Sequence, residues 1–274
     1  MKGTASQAAA TVRGDLRDFP VAVTIEGKVA FLTLSDPERR NVLDLAMATA
    51  LRAGAERVGR DPAVRCVVLA GRDGIFAAGA DIEEIAAASP QENLDYNRVL
   101  RDACDAIAAL PVPSIAALDG HAIGGGLELA LACTLRVAAE GVKFGLPEAR
   151  LGIIPATGGL ARLPRLIGSA RAARLLLTGE LVDGAEAEAL GIVDRAVPAG
   201  EVDAAARELA ARIGAVAPLA AQEIVAALRD DAGVGVGEAN RRTEERLGRL
   251  LASADRREGA AAFLERRDPV FEGR

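Results

Sequence analysis

Short apolar runs broken by glycine, proline or charge fill the first two-thirds of the chain, and longer helical periods fill the last third. From Val21, the segments VAVTIE and KVAFLTL are rich in β-branched residues and meet at Glu26-Gly27, which predicts a hairpin. A loop follows over Ser35–Asn41. Leu45, Ala48, Leu51 and Ala55 then recur at helical spacing between Asp44 and Gly59. Val64–Ala70 (VRCVVLA) and Ser114–Leu118 (SIAAL) are continuous apolar runs, as in strands covered on both faces. Between them, Ile82–Ala88 predicts a short helix and Leu94–Leu110 a longer one, stopped by Pro111-Val112-Pro113. Arg136–Ala139, Lys143–Phe144 and Ile192–Val197 read as further short strands, and Arg171–Leu177 and Ala185–Leu190 as short helices. Strand, helix, strand therefore recurs, with glycine loops after strands, an arrangement that gathers ligands at strand ends and helix N-termini.

After about Pro198 the pattern changes to four candidate helices, Val202–Ile213, Pro218–Leu228, Val236–Leu251 and Ala254–Arg266. This divides the chain into a tail over residues 1–19, a mixed α/β core over 20–197 and a helical region over 198–274. Stripes such as Leu247, Leu250 and Leu251 need a partner, either the core or another subunit. Asp255-Arg256-Arg257-Glu258 and Glu265-Arg266-Arg267-Asp268 mix signs, as solvated helix faces do.

Composition narrows the classes. Half of the 274 residues are hydrophobic, yet no apolar run reaches membrane-spanning length, so no membrane partner is expected. A formal net charge of −6 offers no footprint for nucleic acid. Lys2, Lys28 and Lys143 are the only lysines beside many arginines, which suggests a GC-rich bacterial source. Cys66, Cys104 and Cys133 are odd in number and widely spaced, and the first residues lack a secretory apolar region, so a reducing cytoplasm is expected. A single histidine, His121, excludes a multi-histidine metal site and reads best as a loop residue.

The candidate chemistry lies in Asp119–Arg162. Gly124, Gly125 and Gly126 open a run of helix formers, Leu127–Cys133, whose one ionisable residue is Glu128. A carboxylate buried with such a helix must be hydrogen-bonded, or neutral with a raised pKa. Glu148 follows in Phe144-Gly145-Leu146-Pro147-Glu148, with Pro147 suited to a first helical position. Two carboxylates beside a glycine turn can do acid–base work next to backbone N–H donors. The glycine triplet departs from dinucleotide-binding spacing, and a phosphate-loop lysine is missing.

Phe76-Ala77-Ala78-Gly79-Ala80-Asp81-Ile82, then Gly124–Ala130, then Phe144–Glu148 closely resemble the crotonase family, and within it the enoyl-CoA hydratases. The match extends to Leu163–Gly168, Leu177-Thr178-Gly179 and Asp255–Gly259, so it covers roughly Val21 to the end. The resemblance implies an α/β fold, a spiral of ββα units followed by a C-terminal helical oligomerisation region, as a homotrimer or homohexamer. It implies an acyl-CoA thioester substrate and no cofactor, coenzyme A being part of the substrate. It implies that the N–H groups of Ala80 and Gly125 form an oxyanion hole and that Glu128 and Glu148 are the catalytic pair. Ala78, Asp81 and Ile82 fall where the family holds the adenine end of coenzyme A, and Phe263 and Arg266 at C-terminal positions that help hold it.

Two positions depart from the family pattern. Ala156 stands where hydratases usually have a glycine beside the reacting water. Glu83 stands where some members have a phosphate-binding lysine, for which Arg39 or Arg40 could substitute. Within the family, two glutamates favour addition of water to a 2-enoyl thioester over double-bond isomerisation. An RNA-binding member or a silent coenzyme A-binding subunit are the readings from other classes.

Overall fold

The fold is seen in a computed structural model, which describes residues 20–274; the tail expected over residues 1–19 lies outside the described residues. Strands β1 (Val21–Glu26), β2 (Val29–Leu34), β3 (Cys66–Gly71), β4 (Ser114–Leu118), β5 (Ala122–Ile123), β6 (Leu135–Ala139), β7 (Lys143–Gly145), β8 (Val182–Asp183) and β9 (Arg195–Val197) make two sheets. The larger runs β1-β2-β3-β4-β6-β9, and the smaller β5-β7-β8. β1 and β2 form the expected antiparallel hairpin; from β2 to β9 every pairing in the larger sheet is parallel. Parallel strands need crossovers that cover both faces, which is why β4 is buried at every residue.

The crossovers repeat one unit. A strand of the large sheet leads into a short piece that pairs in the second layer, and then into helix. After β4 comes β5 and then helix α4; after β6 comes β7. After β3, Ala77 forms a single parallel bridge to Ala122. This is the expected spiral of ββα units.

The helices are α1 (Leu45–Gly59), α2 (Ile82–Ala87), α3 (Pro90–Ala108), α4 (Gly125–Ala132), α5 (Gly159–Ile167), α6 (Ser169–Thr178), α7 (Gly184–Leu190), α8 (Val202–Gly214), α9 (Pro218–Asp230), α10 (Val236–Leu251) and α11 (Ala254–Glu265). α1 lies on β1 and β2 and against α3, while α8 lies on β2, β3, β4 and β6. α8 buries Val202, Ala205, Ala206 and Ala210, so the helical third of the chain begins inside the core.

Several expected boundaries shift for local reasons. α3 starts at Pro90 rather than Leu94, because Ser89 and Glu92 close a reciprocal capping box ahead of it. The strand expected over Ile192–Val197 shrinks to β9, because the N–H groups of Ile192 and Val193 turn back to the Ala187 carbonyl at the end of α7. α5 was not expected, since Pro164 lies inside it. Pro147 does not open an α-helix; it precedes a single 3-10 turn, Glu148–Leu151. The mixed-charge runs at the C-terminus are not simple solvated faces. Asp255 is buried and accepts N–H bonds from Glu272 and Gly273, and Glu258 pairs with Arg267 at 2.6 and 2.9 Å, tying the last residues back onto α11. Among the described residues no single helix is long and apolar enough to cross a membrane.

One buried side chain fixes the loop that follows β3. Asn41 is fully buried with φ 50°, a left-handed conformation that asparagine tolerates better than most residues. Its Oδ1 accepts from Asp36 N–H at 2.7 Å, and its Nδ2 donates to the carbonyls of Ile75 (2.6 Å) and Phe76 (3.0 Å). Asn41→Ala strands these backbone groups, and each buried group without a partner costs about 1–3 kcal/mol. The urea midpoint should fall accordingly; an unchanged midpoint would mean that water or a shifted loop replaces all three bonds.

Candidate active site

Helix α4 reaches the loop after β3 because it carries glycine where the two meet. A Cβ on Gly126 would lie 2.2 Å from the Ala77 carbonyl oxygen, so any side chain there would push the helix off the loop. Gly124, at φ 56° and ψ −128°, turns the chain from β5 into α4 in a conformation that side chains rarely adopt. The result is that the N-terminus of α4 faces Gly79 and Ala80. A Cβ built on Gly125 would be 3.5 Å from the Ala80 nitrogen, and one on Gly79 would be 3.3 Å from the Gly125 nitrogen. Neither the Ala80 N–H nor the Gly125 N–H donates a hydrogen bond to any described residue. Two adjacent, unengaged N–H donors, one in the first turn of a helix, form a place for a developing oxyanion.

Glu128 sits one turn into α4, a residue only 3 % exposed. Its Oε1 accepts from the N–H groups of Thr157 (2.9 Å) and Gly159 (2.7 Å), and its Oε2 accepts from the Thr157 hydroxyl at 2.5 Å. The requirement that a carboxylate buried here be hydrogen-bonded is met threefold. Thr157 is itself buried, and its carbonyl accepts from Arg162 Nη1 at 3.0 Å, while Arg162 Nη2 holds Asp105 of α3 at 2.6 Å. Arg162 thereby clamps the 157–159 turn from its far side.

Glu148 arrives from the other direction, on the 3-10 turn after β7. Its Oε1 lies 3.0 Å from where a Cβ of Gly124 would stand, and its Oε2 is buried with no hydrogen-bond partner among the described residues. Burial pushes its pKa up to about 7, and the Glu128 carboxylate adds to the rise. The two glutamates thus flank the start of α4 in unlike surroundings.

The structure brings Ala80, Gly125, Glu128 and Glu148 together. Asp81 is committed to its own helix: it caps α2 by accepting from the N–H groups of Glu83 and Glu84 and pairs with Arg39 Nη2 at 3.0 Å. The Glu84 N–H first, then that of Glu83 and the Arg39 guanidinium, hold its carboxyl below the usual range. Arg39 is shared between Asp81 and Asp44, the latter at 2.6 Å. The Ala78 N–H donates to the Arg40 carbonyl, and Ile82 is exposed at the start of α2. Ala156 is exposed beside Thr157. Phe263 is 83 % exposed and Arg266 ends α11; no hydrogen bond joins either to the loops that carry the four site residues. His121 lies on the surface, its Nδ1 accepting the Lys143 N–H. The three cysteines are buried free thiols.

Residue reading missed Thr157, Arg162 and Tyr96. Tyr96, from α3, accepts the Asp81 N–H at 3.1 Å and donates to the Leu43 carbonyl at 2.6 Å. The signal for Thr157 was present, since it is the one hydroxyl residue in the short stretch Pro155–Gly159 and directly precedes its two glycines. Tyr96 carried no local signal, because its partners come from segments distant in sequence.

Residues 24–274 match the enoyl-CoA hydratase/isomerase family, and the chain belongs to it. It is 39 % identical over 245 residues to a probable mitochondrial enoyl-CoA hydratase 2 of Arabidopsis thaliana, covering 88 % of this chain and 81 % of that one. It is 38 % identical over 253 residues to the 2,3-dehydroadipyl-CoA hydratase of Escherichia coli K12, covering 92 % and 98 %. The crystal structure of an enoyl-CoA hydratase from Bacillus anthracis superposes with a TM-score of 0.91 at 33 % identity, over 93 % of this chain and 100 % of that one. The crotonase fold and a crotonase-type acyl-CoA enzyme follow.

Folding raises the Glu148 pKa from its ordinary 4.5 to about 7, so between those values the folded protein holds a proton that the unfolded chain has lost. The contribution to stability is present below about pH 4.5 and is lost as pH rises through about 7. Glu148→Gln, neutral throughout, should therefore gain in Tm relative to wild type across this window and hold a constant advantage above it. A Tm difference independent of pH would show that Glu148 titrates normally.

Proposed function

We propose that this protein adds water across the double bond of a 2-trans-enoyl-CoA to give a 3-hydroxyacyl-CoA. The observation that carries the reading is the pair of unlike carboxylates beside two unengaged N–H donors. The thioester oxygen would sit between the Ala80 and Gly125 N–H groups, which stabilise the enolate that forms as water adds to Cβ. Removing one donor of this kind typically costs about 2.7–4 kcal/mol. Glu128, held by Thr157 and Gly159, takes the proton from water. Glu148, whose burial keeps its proton up to about pH 7, delivers one to Cα. Water, two carboxylates and two N–H donors complete the scheme, and coenzyme A enters as part of the substrate. A double-bond isomerase needs one carboxylate to move a proton along the chain; the firm anchoring of a second favours hydration.

Glu128→Gln and Glu148→Gln should each lower kcat by at least a hundredfold while changing KM little, followed as loss of enoyl absorbance. Retention of near wild-type kcat by either variant would remove the two-carboxylate scheme.

The exposed apolar residues of the C-terminal helices support a second part of the reading, assembly into a trimer or hexamer. Ile224, Leu228, Val236, Leu247, Leu251, Phe263 and Leu264 all face solvent in the single chain. In such an assembly Phe263 and Arg266 would reach the nucleotide of a substrate on the neighbouring copy. Leu251→Asp should shift sedimentation toward smaller species; an unaltered sedimentation coefficient would place the interface elsewhere.

A further inference from the structure

We propose that Tyr96 is a positioning residue that aims the Ala80 N–H of the oxyanion pair, through a closed loop of hydrogen bonds that its hydroxyl completes. The inference rests on the reading of Ala80 and Gly125 as donors to a thioester oxygen.

The Ala80 N–H belongs to the 79–80 peptide. A trans peptide is planar, so its C=O and N–H point in opposite directions. The Gly79 carbonyl accepts the Leu43 N–H at 2.9 Å, and that bond directs the Ala80 N–H away from Leu43. Leu43 is held in turn: its own carbonyl accepts the Tyr96 hydroxyl proton at 2.6 Å. The same hydroxyl oxygen accepts the Asp81 N–H at 3.1 Å, which fixes the peptide on the other side of Ala80. Both peptides flanking Ala80 are thus tied to one point, the Leu43–Tyr96 pair. The Leu43 side chain also points toward α4, its Cδ1 lying 3.5 Å from where a Cβ of Gly125 would be, so the anchor for one donor lies beside the segment carrying the other.

Tyr96 suits the task. It projects from α3, a nineteen-residue helix capped at its start by Ser89 and Glu92, and its ring is buried. Burial pushes its phenol up to about 12, so it stays a proton donor to Leu43 at working pH. A bare core tyrosine would need its ring and one partner for its hydroxyl. This one takes two backbone partners, and they bracket the residue whose N–H faces the site.

Tyr96→Phe keeps the ring and removes both bonds. Oxyanion donors act through placement, and a displacement near 1 Å can cost about a hundredfold. We expect kcat on a four-carbon 2-enoyl-CoA to fall about ten- to hundredfold with KM within about twofold of wild type. We also expect the enolate absorbance band of bound acetoacetyl-CoA to be lost, while affinity for coenzyme A itself is unchanged. A purely structural tyrosine would lower Tm and leave the enolate band intact, and that outcome overturns the proposal. The enolate band separates the two readings. Wild type that forms the enolate but does not hydrate defeats hydration while leaving the role of Tyr96 to be read from the variant. Wild type that forms no enolate defeats both.

Should the phenylalanine variant fail to fold, the chain offers a second measurement, since Tyr96 is its only tyrosine. Biosynthetic replacement by 3-fluorotyrosine gives one fluorine resonance. That resonance should shift on adding acetoacetyl-CoA and stay in place on adding coenzyme A alone; equal responses to the two would contradict the proposal.

Discussion

The close approach of α4 to the loop after β3 is the contact on which the site depends. It exists because Gly126 presents no side chain to the Ala77 carbonyl and because Gly124 accepts the left-handed turn that aims the helix. Replace that contact by a normal helix-to-loop distance and the Ala80 and Gly125 N–H groups separate, however well each is held. Much of the nearby architecture serves to keep the loop where the helix needs it. Asn41 holds its beginning, the Arg40 carbonyl takes the Ala78 N–H, and Leu43 and Tyr96 hold its end.

The carboxylates follow from the same geometry. Glu128 rides on the helix that the contact positions, and Glu148 packs over the glycine that makes the contact possible. Their surroundings are opposed: three donors converge on Glu128, whereas one oxygen of Glu148 is buried with none. Pairs of titratable groups held in unlike environments are how one site carries an acid and a base at the same pH.

The alternation of buried runs and glycine loops was legible in the sequence, and so were the hairpin, the four C-terminal helices and the two glutamates. These rest on local patterns, periodicity for the elements and a charge amid apolar residues for Glu128. Ser89-Pro90-Gln91-Glu92 would have given the true start of α3, because a capping box is a local signal too. α5 was hidden by Pro164, since tertiary packing there overrides an interior proline. The N–H bonds that Glu272 and Gly273 donate to Asp255, the ion pair of Glu258 with Arg267, and the span of Tyr96 across two loops depend on residues brought together only by the fold. No spacing rule reaches them. Nor could composition tell that Arg39, a natural candidate for a phosphate, lies between Asp44 and Asp81.

The central claim is that both carboxylates act on one thioester, one toward water at Cβ and one toward Cα. The most direct measurement is the mass of the product formed from a 2-trans-enoyl-CoA in deuterated, oxygen-18-enriched water. Hydration predicts one oxygen-18 at C3 and one carbon-bound deuterium at C2 in the same molecule. A product carrying carbon-bound deuterium without added oxygen would contradict the account and establish double-bond migration instead.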